Sequence, residues 1–292
     1  MSEIIKVGDV VSRKSYNRDV YFKIIDIVGS EGNAKAILKG LELRILADAP
    51  LDDLEKVTTQ DIREYKKNYI RASNECLEKI FSRRKIYRQM RTAKSNIKLD
   101  ERDFFDRPGR VLHIDGDGEY LQICMNTYKQ LFIEAVGENI PEWEQPQRIT
   151  RLLKQHSPDI LVITGHDGLI NKNKSSFTDI NSYRNSKYFI ESVKKARQFE
   201  PALDDLVIFA GACQSFYEGL LAAGANFASS PHRVFIHALD PVFVIEKIAY
   251  SPINETISIK DVISSSITGI KGIGGLQTRG KLREGLPRSP YE

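Results

Sequence analysis

From Arg110 onward the chain repeats one pattern, a short continuous apolar run followed by a stretch of helical character. The runs are Val111–Ile114, Phe132–Val136, Ile160–Thr164, Leu206–Ala210 and Val234–His237. The helical stretches are Glu119–Leu131, Gln145–His156, Tyr188–Phe199, Gln214–Ala223 and Pro241–Ile248. A strand that is apolar at every position is buried on both faces, as happens when helices cover both sides of a parallel sheet. The pattern therefore predicts a doubly wound α/β domain of five or six mostly parallel strands over residues 106–292. No apolar run approaches the roughly 18 residues that a membrane helix needs. The N-terminus lacks the basic-then-apolar order of a secretory leader, so none is expected.

Two other regions precede this domain. Residues 1–57 hold several short β-branched and aromatic runs, such as Val20–Ile27, Ala36–Leu38 and Leu43–Leu46, with a turn signal at Ser30-Glu31-Gly32-Asn33. They predict a small SH3-like or Tudor-like β-barrel, a binding module with no visible chemistry. Residues 58–105 predict a basic helical linker. Thr58 and Asp61 have the spacing of a capping box, and Ile62, Tyr65, Tyr69, Leu77, Ile80, Tyr87 and Met90 keep helical spacing. Asp106-Arg107-Pro108-Gly109 marks the break before the α/β region.

Charge is concentrated in that helix. Lys79, Arg83, Arg84, Lys85, Arg88, Arg91, Lys94 and Lys98 are eight of the 43 basic residues, and no acid lies among them. The remaining 35 basic residues face 39 acids, so this one segment sets the net charge of +4. Such a cluster is a solvated face or a surface for an acidic partner or nucleic acid.

In open α/β sheets, ligands bind beyond the carboxyl ends of the strands. That rule selects Asp115-Gly116-Asp117-Gly118, Gly165-His166-Asp167-Gly168 and Gly211-Ala212-Cys213-Gln214-Ser215. The last two carry a histidine and a cysteine at the same edge, on what should be neighbouring strands. A thiol nucleophile needs a base or imidazolium to raise its thiolate fraction, and a following helix N-terminus would add to that. Backbone N–H groups of Gly168 and Cys213 are the candidate oxyanion donors. His113 reads as a satisfied core histidine, His156 as a helix-end residue and His232 as a loop residue. His237 ranks below His166 as a base. Cys76 and Cys124 read as packing thiols, and three cysteines make no disulfide framework. Two rival readings exist. One is a Mg²⁺-dependent phosphatase centred on the Asp115-x-Asp117 loop, and the other is a nucleic-acid-binding protein built on the barrel and basic helix.

An apolar strand running into a histidine and glycine, then another running into Ala-Cys, resembles the caspase-like clan of cysteine peptidases, which includes clostripain, the gingipains, legumain, separase and the caspases. Here Asp167 stands between His166 and Gly168, a departure that touches the oxyanion donor. The chain resembles more closely the YabG family of sporulation-specific cysteine peptidases. The segments carrying this likeness run from Lys6-Val7-Gly8-Asp9-Val10-Val11 and Leu46–Leu54 through Thr164–Gly168, Gly211–Ser215 and Ile236–Pro241 to Gly272–Leu276.

That resemblance implies a caspase-like fold and a Cys213–His166 dyad that needs no metal or organic cofactor. It implies protein substrates among spore coat and cortex-associated proteins, cut after basic residues, arginine especially. It also implies an enzyme made in the mother cell and later placed in the spore coat. If arginine is read, Asp240 and Asp167 are the candidate substrate-binding acids, although Asp240 also suits a helix start ahead of Pro241. Arg83, Arg84, Arg88, Arg91 and Arg279 then become candidate self-cleavage sites, on an exposed linker and near the glycine-rich tail.

Overall fold

A computed structural model describes residues 4–29, 33–93, 101–170, 176–289 and 291 of the chain. The turn residues Ser30, Glu31 and Gly32, and Lys94 and Lys98 of the basic segment, lie outside the described residues.

The first unit is a five-stranded antiparallel sheet made of β1 (Val10–Arg13), β2 (Tyr21–Val28), β3 (Lys35–Gly40), β4 (Leu46–Pro50) and β5 (Leu54–Lys56), in the order β4-β3-β2-β1-β5. Alternation along β2 and β3 turns Phe22, Ile24, Ala36 and Leu38 into its core. A 35-residue helix, α1 (Thr59–Ala93), follows. Its start is the expected capping box, with the Asp61 N–H donating to Thr58 Oγ1 and the Thr58 hydroxyl donating back to Asp61.

The second unit runs in chain order through β6 (Phe105–Arg107), β7 (Val111–Asp115), α2 (Gly118–Gln130), β8 (Ala135–Asn139), α3 (Gln145–His156), β9 (Ile160–Thr164), α4 (Ser186–Phe199), β10 (Val207–Ala210), α5 (Tyr217–Ala222), β11 (Phe227–Ser229), α6 (Asp240–Ala249), β12 (Thr256–Ile257), α7 (Ile259–Ser264), β13 (Ile273–Gly275), β14 (Thr278–Arg279) and β15 (Arg283–Gly285). Its main sheet has six strands in the order β13-β11-β10-β9-β7-β8. All pairs are parallel except β11 with β13. β7, β9, β10 and β11 are buried at every position, and separate apolar clusters cover the two faces of the sheet. The mostly parallel, doubly covered α/β sheet is thus as the apolar runs predict.

Two strands differ from the sequence reading. The run Val234–His237 is not a strand of this sheet. The fifth parallel strand is β11, too short and too mixed (Phe227-Ala228-Ser229) to announce itself, while within 234–237 His237 forms an isolated antiparallel bridge to Leu43 and Val234 O accepts from the Gln214 N–H. The strand placed at Phe132–Val136 begins at Ala135, because Phe132 turns the chain with a positive φ of 55° and is exposed.

The basic helix is docked rather than a free linker. Cys76 and Ile80 enter the core of the α/β unit. Arg84 Nε donates to the buried Glu246 at 2.8 Å, its Nη1 donates to Leu131 O, and its guanidinium lies over the Tyr250 ring. Arg83 also pairs with Glu246. Arg91 pairs with Asp106 and Glu284, and Arg88 lies 3.7 Å from Asp106. The acids that balance the cluster therefore belong to the α/β unit.

Candidate active site

Register decides how the loops carrying Cys213 and His166 are placed. Ala210 of β10 lies opposite Ile163 of β9. Cys213 and His166 therefore each stand three residues past a paired position, on adjacent parallel strands. Asp115 of β7 lies opposite Thr164, so the Asp115–Asp117 loop joins the same edge.

The cysteine loop is a built turn. Gly211 has φ of +106°, and a Cβ there would meet Ser229 Oγ at 2.4 Å, so glycine is required on both counts. Gln214 also holds a positive φ of 56°. The Ala212 N–H donates to Ser215 Oγ, the Ser215 hydroxyl to Asp167 Oδ2, and the Ser229 hydroxyl to Ala212 O. The expected helix behind the cysteine begins only at Tyr217 and is one and a half turns long. Hydrogen bonds, not a helix terminus, hold Cys213 in place.

Asp167 ties the two reactive loops together. Besides Ser215 it accepts from Gly168 N, Asn185 N and the Ser186 hydroxyl. Burial pushes its carboxyl up to about 6 against these four donors. Asp240 is equally committed. It accepts from the N–H groups of His237, Ile267 and Thr268 and from the Thr268 hydroxyl, at the first position of α6. Both carboxylates knit neighbouring loops. The expected N-cap role of Asp240 does not hold, since Leu239 is the N-cap of α6 and the Asp240 carboxylate accepts from other loops instead of from helix N–H groups.

His166 lies between two carboxylates. Nε2 is 3.2 Å from Asp117 Oδ2, an ion-pair contact without hydrogen-bond alignment, and Nδ1 is 3.5 Å from Glu142 Oε1. Its backbone N–H donates to Glu142 Oε1 at 2.6 Å. Burial works to lower the imidazole pKa, but Asp117 and Glu142 outweigh it and raise it above the ordinary histidine value. The Glu142 side chain fills a slot flanked by Gly116 and Gly165, where added Cβ atoms would fall 2.2 and 2.4 Å from its Oε1.

The Cys213 thiol is fully buried. Burial pushes it up to about 12, although the Ile236 N–H, 3.4 Å from the sulfur, and the Arg44 charge and backbone favour the thiolate. Among the described residues, no hydrogen bond joins Cys213 to His166. The Gly168 N–H is occupied by Asp167.

Other expectations resolve simply. His113 is a satisfied core histidine, with Nδ1 against Tyr128 Oη and Nε2 against Thr164 Oγ1. His237 is stacked on Tyr69, and burial, aided by the Arg44 charge, lowers it to about 3. Cys76 and Cys124 are buried packing thiols. Asp115 pairs with the buried Arg44, and Asp117 pairs with Lys39 at 2.6 Å, accepts from the Glu119 and Tyr120 N–H groups and faces His166. The Asp-x-Asp pair is thus neutralised by the protein's own cations. Arg84 and Arg91 are nearly covered ion-pair partners, whereas Arg88 and Arg279 are more exposed.

Sequence reasoning missed Glu142 and Arg44. Glu142 follows a strand end, and the strand-end rule selects it once β8 is placed at Ala135–Asn139. Arg44 carried no signal, since a lone arginine in a β-rich segment looks like a surface residue.

A profile of the YabG peptidase U57 family matches residues 6–287. The chain is 45% identical to the sporulation-specific protease YabG of Bacillus subtilis (strain 168) over 284 residues, which cover 97% of this chain and 98% of that protein. No solved structure matches.

Proposed function

Because the chain belongs to the YabG peptidase U57 family and is a peptidase, we propose that it acts as a cysteine endopeptidase with Cys213 as nucleophile and His166 as general base and acid. The observation that carries this reading is the matched register of β9 and β10, which brings the two side chains to one edge on loops tied together by Asp167. In this reading the Cys213 thiol gives its proton to His166 and its sulfur adds to the scissile carbonyl. The Cys213 N–H holds the oxyanion, and the Gly168 N–H joins it on leaving Asp167. His166 then protonates the leaving amine, and water resolves the acyl-enzyme. The buried thiol and the carboxylate-held imidazole describe a resting state that substrate entry must rearrange.

The domain reads as a caspase-like plan preceded by an SH3-like module. We infer cleavage after basic residues, arginine above all, in spore coat and cortex-associated proteins during sporulation, with the enzyme made in the mother cell and placed in the coat. Among the candidate self-cleavage sites, Arg88 and Arg279 are the more exposed and come ahead of Arg83, Arg84 and Arg91. Wild type and Cys213→Ala, incubated with an arginine-rich coat protein, test the reading. Wild type should yield fragments whose new N-termini follow arginine, and Cys213→Ala should yield none. Undiminished cutting by Cys213→Ala would refute the assignment.

A further inference from the structure

Arg44 is the largest fully buried side chain among the described residues. It stands on the loop between β3 and β4, yet its guanidinium lies inside the α/β unit. Nη2 donates to Asp115 Oδ2 at 2.8 Å and lies 3.2 Å from Cys124 Sγ, and Nη1 donates to Ala238 O at 2.9 Å. The Tyr120 ring lies 5.4 Å from its carbon centre. The backbone is placed as tellingly as the side chain. Leu43 bridges His237 in antiparallel fashion, the way an extended peptide adds to an exposed edge. The residue before His237 reaches the cysteine, with the Ile236 N–H 3.4 Å from the Cys213 sulfur. The loop then continues through Ile45, Leu46 and Asp48 along a cleft whose other wall includes Gly168, Gln214 and Phe235.

An arginine whose side chain fills a charged pocket, on a loop that pairs with the segment contacting Cys213, occupies the place of a substrate residue. We propose that the Arg44 cavity is the pocket that receives a substrate's arginine side chain, that Asp115 reads its charge, and that the loop from Gly40 to Ile45 is the pocket's resident occupant. This rests on the cysteine-peptidase reading above. The chemistry of the walls supports it. Asp115 is fully buried, and a buried carboxylate needs a cationic partner; when Arg44 leaves, another guanidinium restores the pair. The loop is also bent where a substrate would be extended. The Ile45 N–H donates to Leu43 O at 2.7 Å, closing a tight turn at Arg44. The Tyr120 hydroxyl bridges Gly40 O and Leu43 O, and the Gly40 N–H donates to Ile45 O. The occupant is held as a plug, and the strand-like bridge to His237 is where an incoming peptide would pair.

The test uses the full chain and a peptidyl chloromethyl ketone ending in arginine, with a leucine-ending analogue as control, and follows the labelling rate of Cys213 by mass. Arg44→Ala should label at least tenfold faster than wild type with the arginine probe, and ethylguanidine should slow that labelling. Arg44→Ala with Asp115→Asn should lose the preference for arginine over leucine. Tyr120→Phe keeps the Arg44–Asp115 pair and removes only the hydroxyl that closes the loop. It should also label faster, and it serves if Arg44→Ala fails to fold. Unchanged rates in folded Arg44→Ala and Tyr120→Phe, or a retained arginine preference without Asp115, would overturn the proposal while leaving the peptidase reading intact. Labelling of a cysteine other than Cys213 would overturn the peptidase reading instead.

Discussion

Replacing Glu142 by glutamine removes one negative charge beside His166 and little else. The amide oxygen can still accept the His166 N–H, now bonded at 2.6 Å, and the side chain still fits between Gly116 and Gly165. At the 3.5 Å separation of Glu142 Oε1 and His166 Nδ1, Coulomb's law with an effective dielectric of about 20 gives a ceiling near 5 kcal/mol. Asp117 remains on the other side of the ring and partial exposure screens Glu142, so the His166 pKa should fall toward the ordinary histidine value by less than that ceiling. The sign follows from the raised folded-state pKa. The stabilisation is fully present below the unfolded histidine value of about 6.5 and disappears as pH rises through the folded value. Glu142→Gln should therefore cost stability at pH 5.5 and almost none at pH 9. Proton NMR titration of the His166 ring, assigned with His166→Gln, gives the pKa directly, and urea midpoints at the two pH values give the linked stability. An unshifted His166, or equal losses at both pH values, would show that Glu142 acts as a packing group and would refute the electrostatic account of the clamp.

Three further outcomes follow from the same geometry. Gly165→Ala places a methyl against the Glu142 carboxylate, so it should lower the His166 pKa in the same direction as Glu142→Gln; an unchanged titration would show that the slot yields without moving the acid. Glu246→Gln leaves Arg84 buried beside a neutral partner and should cost about 3–5 kcal/mol, roughly 6–10 °C in a thermal scan, whereas Glu78→Gln on the exposed side of the same helix should fall within about 0.5 kcal/mol. Gly211→Ala forces a side chain into a positive φ and onto Ser229, so cleavage should fall at least tenfold; full activity would mean that the Cys213 turn tolerates a different backbone.

Much of this arrangement is legible in the residues because burial on both faces leaves a one-dimensional trace. The runs Ile160–Thr164 and Leu206–Ala210 could be read as adjacent strands, and the loops after them as sharing one edge of the sheet. The trace fails where an element is held by something other than its own apolar periodicity. β11 is three residues of phenylalanine, alanine and serine, recognisable only beside β10. Val234–His237 is apolar because it lines the sheet edge near Cys213, and apolarity alone does not distinguish that from a strand. The basic cluster seemed solvated because its acids, Glu246, Asp106 and Glu284, are far away in sequence. Asp167 and Asp240 drew attention as acids in the right loops, but short polar side chains at loop ends are as suited to gathering backbone N–H groups as to meeting a ligand. Arg44 lies beyond any local reading, because its partner Asp115 is 71 residues away in another unit.

The most direct test of the central claim is to identify which sulfur forms the covalent bond with substrate. A peptidyl acyloxymethyl ketone ending in arginine, reacted to completion and mapped by tandem mass spectrometry, should place one adduct on Cys213, abolish cleavage in proportion to its occupancy, and react far more slowly with His166→Ala. An adduct on Cys76 or Cys124 that tracks the loss of cleavage, or full cleavage by a protein quantitatively modified at Cys213, would contradict it.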